Sequence, residues 1–174
     1  GECLGLLLEP SRTNLLLSSE EFTGASWLKV RCSTTLNVET APDGLTTADK
    51  LVEDSTTEGR YIQSAVAIGA GTYTHSIYVK AAENNSMVFR PVHLGEASST
   101  SSITFNLTTG PTATTNNLIT GATMQVLPNG WRRCSVTLTL TPAVTYAAFR
   151  IHLRDEESGS ISYTGDGTSG IYIW

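Results

Sequence analysis

Long apolar runs are missing from this chain. No stretch approaches the roughly 18 consecutive apolar residues that a membrane-crossing helix needs, and residues 4–8 are apolar but short. That segment has neither a basic flank nor a cleavage-like sequence, so a signal peptide is not expected. Cysteine is scarce: Cys3, Cys32 and Cys134 are odd in number and widely spaced. No CxxC or Cys/His spacing exists, which argues against zinc. Three reduced thiols are expected, one disulfide plus a free thiol being the alternative, with Cys134 acting as a small hydrophobe on the apolar face of a strand. Charged residues make up only 16% of the chain, and the formal net charge is −5. Phosphate binding needs a basic stripe, so nucleic acid is not an expected partner. A nucleophile elbow, a phosphate loop and an HExxH helix are all absent.

What is present favours sheet. Thr and Ser are abundant and Gly is frequent, a composition suited to strands and turns rather than helices. Strands are predicted over 27–35, 48–53, 61–68, 73–81, 87–94, 103–107, 124–127, 131–140, 146–154 and 171–174, with the ordered body beginning at 15–17. Turn chemistry separates them at 41–44 (APDG), 69–71 (GAG) and 128–130 (PNG). Residues 61–81 and 124–140 read as two antiparallel hairpins. Residues 18–22 have capping-box spacing, Ser18 with Glu21, and suggest one helical turn. The expectation is a single all-β domain over 1–174: a β-sandwich of jelly-roll type.

Period-two alternation assigns faces. Over 73–80, Tyr73, His75, Ile77 and Val79 form the more apolar set, and Thr74, Ser76, Tyr78 and Lys80 the other. Over 131–140 the inward set is Cys134, Val136, Leu138 and Leu140, while Trp27 and Trp131 are assigned to packing. Pro91 and Arg90 interrupt both registers of 87–94, which points to an edge or a bulge. Residues 146–154 (YAAFRIHLR) alternate most clearly. Ala147, Phe149, Ile151 and Leu153 make an apolar face, leaving Tyr146, Arg150, His152 and Arg154 opposite. That row is rich in planar donors, the groups that read hydroxyls and carboxylates; its bland alternative is a merely solvated face.

Residues 14–22 (NLLLSSEEF) followed by Trp27, 41–44 with 48–51 (ADKL), 73–80 (YTHSIYVK), 129–136 (NGWRRCSV) and 165–174 (GDGTSGIYIW) together resemble a module common in phage tail and virion proteins. The resemblance spans nearly the whole chain. That module is similar in turn to the jelly-roll carbohydrate-binding modules that accompany xylanases and glucanases. The resemblance implies a concave sheet used as a glycan groove, a structural calcium ion, a virion or extracellular location, and attachment to an enzyme or fibre. It also implies that strands 73–80 and 146–154 share the concave sheet, with the Trp27 and Met87 strands nearby, and that Tyr78 is a sugar platform. Such modules usually continue beyond the final tryptophan, and this departure implies a trimmed chain.

A pyranose stacks its C–H face on an aromatic ring, and its hydroxyls take donors from arginine forks. The expected carbohydrate-binding set is therefore Tyr78, Arg150, His152 and Arg154, joined by Arg90 if the register allows. Calcium would draw on the hard oxygens of Glu20, Glu21 and Asp166, because the first and last strands of these jelly rolls lie close together. The expected function is a non-catalytic carbohydrate-binding module for a polysaccharide or cell-surface glycan. The alternative is a structural virion or tail-fibre domain making protein–protein contacts. A polysaccharide lyase using Tyr78 and His152, or a hydrolase, is least favoured, since no carboxylate pair falls on the face and 155–157 (DEE) reads as a solvated loop.

Overall fold

The computed structural model describes residues 13–16, 18–94, 101–115, 119–140, 145–155 and 157–174. Its strands are β1 (Trp27–Val30), β2 (Cys32–Glu39), β3 (Ala48–Glu53), β4 (Thr57–Gly59), β5 (Tyr61–Ile68), β6 (Gly71–Ala81), β7 (Ser86–Leu94), β8 (Ser102–Asn106), β9 (Gly110–Thr115), β10 (Ile119–Val126), β11 (Trp131–Leu140), β12 (Thr145–Leu153), β13 (Ser162–Thr164) and β14 (Gly170–Ile173). Sheet I has the order β1-β5-β12-β7-β8-β9 and sheet II the order β10-β11-β6-β14-β3-β2, while β4 and β13 form a separate ribbon. The two large sheets pack face to face as an all-β sandwich.

Alternation builds the interior. Sheet I turns Ile62, Met87, Phe89, Phe105, Phe149, Ile151 and Leu153 inward against Leu51, Val79, Cys134, Val136, Leu138, Ile171 and Ile173 of sheet II. Each larger side chain of this kind contributes about 1.5–3 kcal/mol on burial. Cys32 and Cys134 are free thiols, and burial pushes the Cys134 thiol up to about 12. Cys3 lies outside the described residues. A second, smaller cluster sits on the far side of sheet II, where Trp131 packs with Ala41 and Ala48. Its indole N–H donates to Thr40 O at 2.8 Å, which ties the 40–47 loop to the sheet. Trp27 is also buried, and its indole N–H donates to Ser18 O at 3.0 Å.

Several expectations need correction. Residues 27–35 are two strands, because Arg31 takes a left-handed φ of 52° and sends β1 and β2 into different sheets. Residues 61–81 do not form a hairpin: β5 belongs to sheet I and β6 to sheet II, so the 69–71 turn crosses the sandwich. Residues 18–22 are a plain turn, with Glu21 N–H donating to Ser18 O at 3.1 Å. Ser18 has φ 55°, away from the extended backbone of an N-cap. Leu15 and Leu16 are not in a strand, and Leu17 is outside the described residues. The 124–140 hairpin does form, as β10–β11, its turn carrying Asn129 at φ 58° and Gly130 at φ 84°. The 41–44 turn closes through Gly44 N–H to Ala41 O at 3.0 Å. Pro91 stands beyond the last β8 partner of β7, the pair Phe89–Ile103, so among the described strands none asks for its missing donor on that side.

Candidate functional site: the outer face of sheet I

β12 lies between β5 and β7. Its Phe149, Ile151 and Leu153 enter the core, as the alternation predicts, which turns Arg150 and His152 to the outer face. Cross-strand register then builds two adjacent rungs. One aligns Gln63, Arg150 and Arg90, and the other aligns Tyr61, His152 and Val88. Arg90 therefore does share the face. Tyr146 precedes a bulge between itself and Ala148, and its side chain lies outside the described residues.

Arg150 is held on two sides. Its Nε and Nη2 both donate to Gln63 Oε1, at 2.9 and 2.6 Å, and its guanidinium lies 3.9 Å from the centroid of the Tyr61 ring. Burial, with the Arg90 charge opposite adding to it, pulls the Arg150 pKa below its ordinary value. Like charges directly across a sheet are destabilising, and among the described residues no carboxylate forms an ion pair with Arg150. His152 packs on Tyr61 with ring centroids 5.0 Å apart. It is 3% exposed, and both its ring nitrogens are without a hydrogen-bond partner. Burial, then Arg150 and Arg90, lower its pKa to about 3, so the ring is neutral at physiological pH.

The other expected residues fall elsewhere. Tyr78 is on β6 in sheet II, so it does not share a surface with Arg150. It packs edge-on against Trp174, 5.2 Å between centroids, with the Arg133 guanidinium 5.8 Å from its ring. The strands of Trp27 and Met87 do join β12 in sheet I, as the resemblance implies. Arg154 follows β12 and is occupied structurally: Nε donates to Gly159 O at 2.9 Å and Nη1 to Ser86 Oγ at 3.4 Å. It fastens the loop after the strand rather than extending the row.

The carboxylates expected to serve calcium are not brought together. Among the described residues no group of three or more His, Cys, Asp or Glu is placed to hold a metal ion. Asp166 Oδ1 accepts from Thr168 N, Ser169 N and Thr168 Oγ1 at 2.7, 2.7 and 3.0 Å, and Oδ2 accepts from Ser169 Oγ at 2.5 Å. These bonds hold its pKa far below the usual carboxylate range. Glu20 instead lines a cleft beside β6, and Glu21 is exposed in the turn before β1.

Tyr61 and Gln63 were missed by sequence reasoning. Their alternation with Ile62 and Ser64 was legible, but not that β5 would lie against β12. A further polar assembly also emerged only in three dimensions. Arg60, fully buried, stacks 4.0 Å from the Tyr163 ring centroid, and the Tyr163 hydroxyl donates to Glu53. Asp166 N–H donates to the same carboxylate at 2.9 Å. This cluster fastens the β4–β13 ribbon to the end of the sandwich.

No family model matches the chain, and no curated protein matches it. The functional reading therefore stands on the residues and their geometry.

Proposed function

We propose that the protein is a non-catalytic carbohydrate-binding module of jelly-roll type that holds polysaccharide on the outer face of sheet I. The observation that carries the reading is Arg150, clamped by Gln63 and stacked on Tyr61. A guanidinium fixed in this way presents its remaining donors in one plane at little entropic cost, which is what binding of sugar hydroxyls asks for. Arg90 shares the face, and His152, buried, packs against the Tyr61 ring and supports it. The described side chains on its two rungs include no carboxylate pair of the kind glycosidases use. The module would serve a virion or an extracellular protein by tethering an attached enzyme or fibre to a cell-surface glycan through repeated weak contacts. Calcium does not enter this reading.

The test is retention on polysaccharide affinity gels. Arg150→Ala is expected to abolish retardation while the thermal midpoint stays near that of the unsubstituted protein. Retention that survives this change would overturn the site.

A second reading, a structural domain that contacts neighbouring proteins, draws on a different feature. The β14 ladder on β6 ends at the Trp174–Tyr78 backbone pair. Past it, no strand among the described residues pairs with that side of β6, and a cleft of about 850 Å³ opens there, lined by Thr72, Thr74, Ser76 and the 13–16 segment. Open edges invite strand pairing. Concentration-dependent association in sedimentation, lost in Thr74→Pro, would favour this reading over the first.

A further inference from the structure

We propose that the polysaccharide is an acidic one, and that the free end of the Arg150 guanidinium takes a carboxylate of its uronate residues. This rests on the carbohydrate reading of the same face and adds the chemical class of the ligand. An arginine has five N–H donors in a rigid fork. Gln63 Oε1 receives the pair on the Nε side, through Nε and Nη2. The remaining fork, formed by Nη1 with the second Nη2 hydrogen, is turned away from Gln63, and two parallel N–H groups match the two oxygens of a carboxylate. Tyr61 fixes the plane in which that fork lies.

Charge selects the carboxylate over a neutral hydroxyl pair. Arg90 stands directly across from Arg150, so a carboxylate on this face meets a cationic surface. No described carboxylate forms an ion pair with Arg150. His152, in the neighbouring rung, is 3% exposed and packs against Tyr61, so it backs the ring that carries Arg150 rather than meeting the ligand. The rest of the chain is acidic, with a formal charge of −5, so attraction to a polyanion is confined to this patch.

The test uses polygalacturonate, alginate and hyaluronate, each paired with its carboxyl-reduced counterpart, with neutral glucan and xylan alongside and dextran sulfate as a charge control. Affinity is read by calorimetry. At least one acidic polymer is expected to bind, with affinity falling about tenfold or more on carboxyl reduction and again in Arg150→Lys, which keeps the charge but loses the fork. Gln63→Leu, which keeps every charge and releases only the clamp, is expected to weaken binding as well. Melting curves of both variants establish that they fold. Equal affinity for acidic and reduced polymers, or binding confined to the neutral ones, overturns the acidic ligand and leaves the carbohydrate reading standing. Binding of dextran sulfate and uronates alike, unchanged in Arg150→Lys, overturns the fork as the recognition element. Failure to bind any polysaccharide overturns both.

Discussion

Acidification should destabilise this protein well before its carboxylates titrate, and the histidines set the size of the effect. His152 has its pKa lowered from 6.5 to about 3 by burial and by Arg150 and Arg90. His75, stacked on Phe149 at 5.0 Å, is lowered by burial to about 4. The unfolded chain takes up these protons near pH 6.5, whereas the folded chain refuses them until far lower. Their contribution is therefore complete above pH 6.5 and is lost as pH falls from there toward the folded values. Each histidine should cost about 1.4 kcal/mol per pH unit in that window, or about 2 kcal/mol between pH 7 and pH 5. Asp54, Glu83 and Asp155, lowered by their hydrogen bonds and neighbouring cations, and Asp166, lowered by hydrogen bonds from Ser169 and Thr168, act mainly below this window. Asp49, raised by burial, works in the opposite sense. Urea unfolding at the two pH values should thus show a marked loss for the unsubstituted protein, and His152→Phe should reduce that loss by about 2 kcal/mol. An identical pH loss in protein and variant would refute the view that His152 is held neutral by its surroundings.

Two further outcomes follow from packing. Trp131→Ala empties the outer cluster and leaves Thr40 O without its donor, and should cost about 3–5 kcal/mol in chemical denaturation. Gly170→Ala would place a Cβ 2.0 Å from Leu51 O, forcing β14 away from β3. The expected loss is about 1–3 kcal/mol or more, read as a lowered denaturation midpoint.

Much of the fold was legible because alternation is a local signal. Phe149, Ile151 and Leu153 had to share a face whatever their partners, and the same holds for Cys134, Val136 and Leu138. Turn chemistry was equally local at 41–44 and 128–130, where Gly44, Asn129 and Gly130 adopt positive φ. Strand pairing was not local. Residues 61–68 and 73–81 are separated by a glycine-rich turn that suits a hairpin, yet β5 pairs with β12 and β6 with β11. The short strands β4, β9 and β13 escaped notice because segments of three to six residues carry too little periodicity to stand out.

The candidate site divides along the same line. Arg150 and His152 were marked by their own strand, since two planar polar groups facing away from an apolar row can be seen without knowing the neighbours. Tyr78 was placed beside them only by resemblance, and the sheet order separates it. Arg154 continued the row in sequence, but its hydrogen bonds spend it on the following loop.

By itself the sequence determined the class of the protein, an all-β chain, and which side faces inward on the strands whose alternation is unbroken, such as 131–140 and 146–154. The pattern for that is written residue by residue and needs no partner. Only the tertiary structure decided which polar faces meet. Strand register across a sheet brought Gln63, Arg90 and Tyr61 to Arg150, and register is set by the packing of the whole core rather than by any one segment.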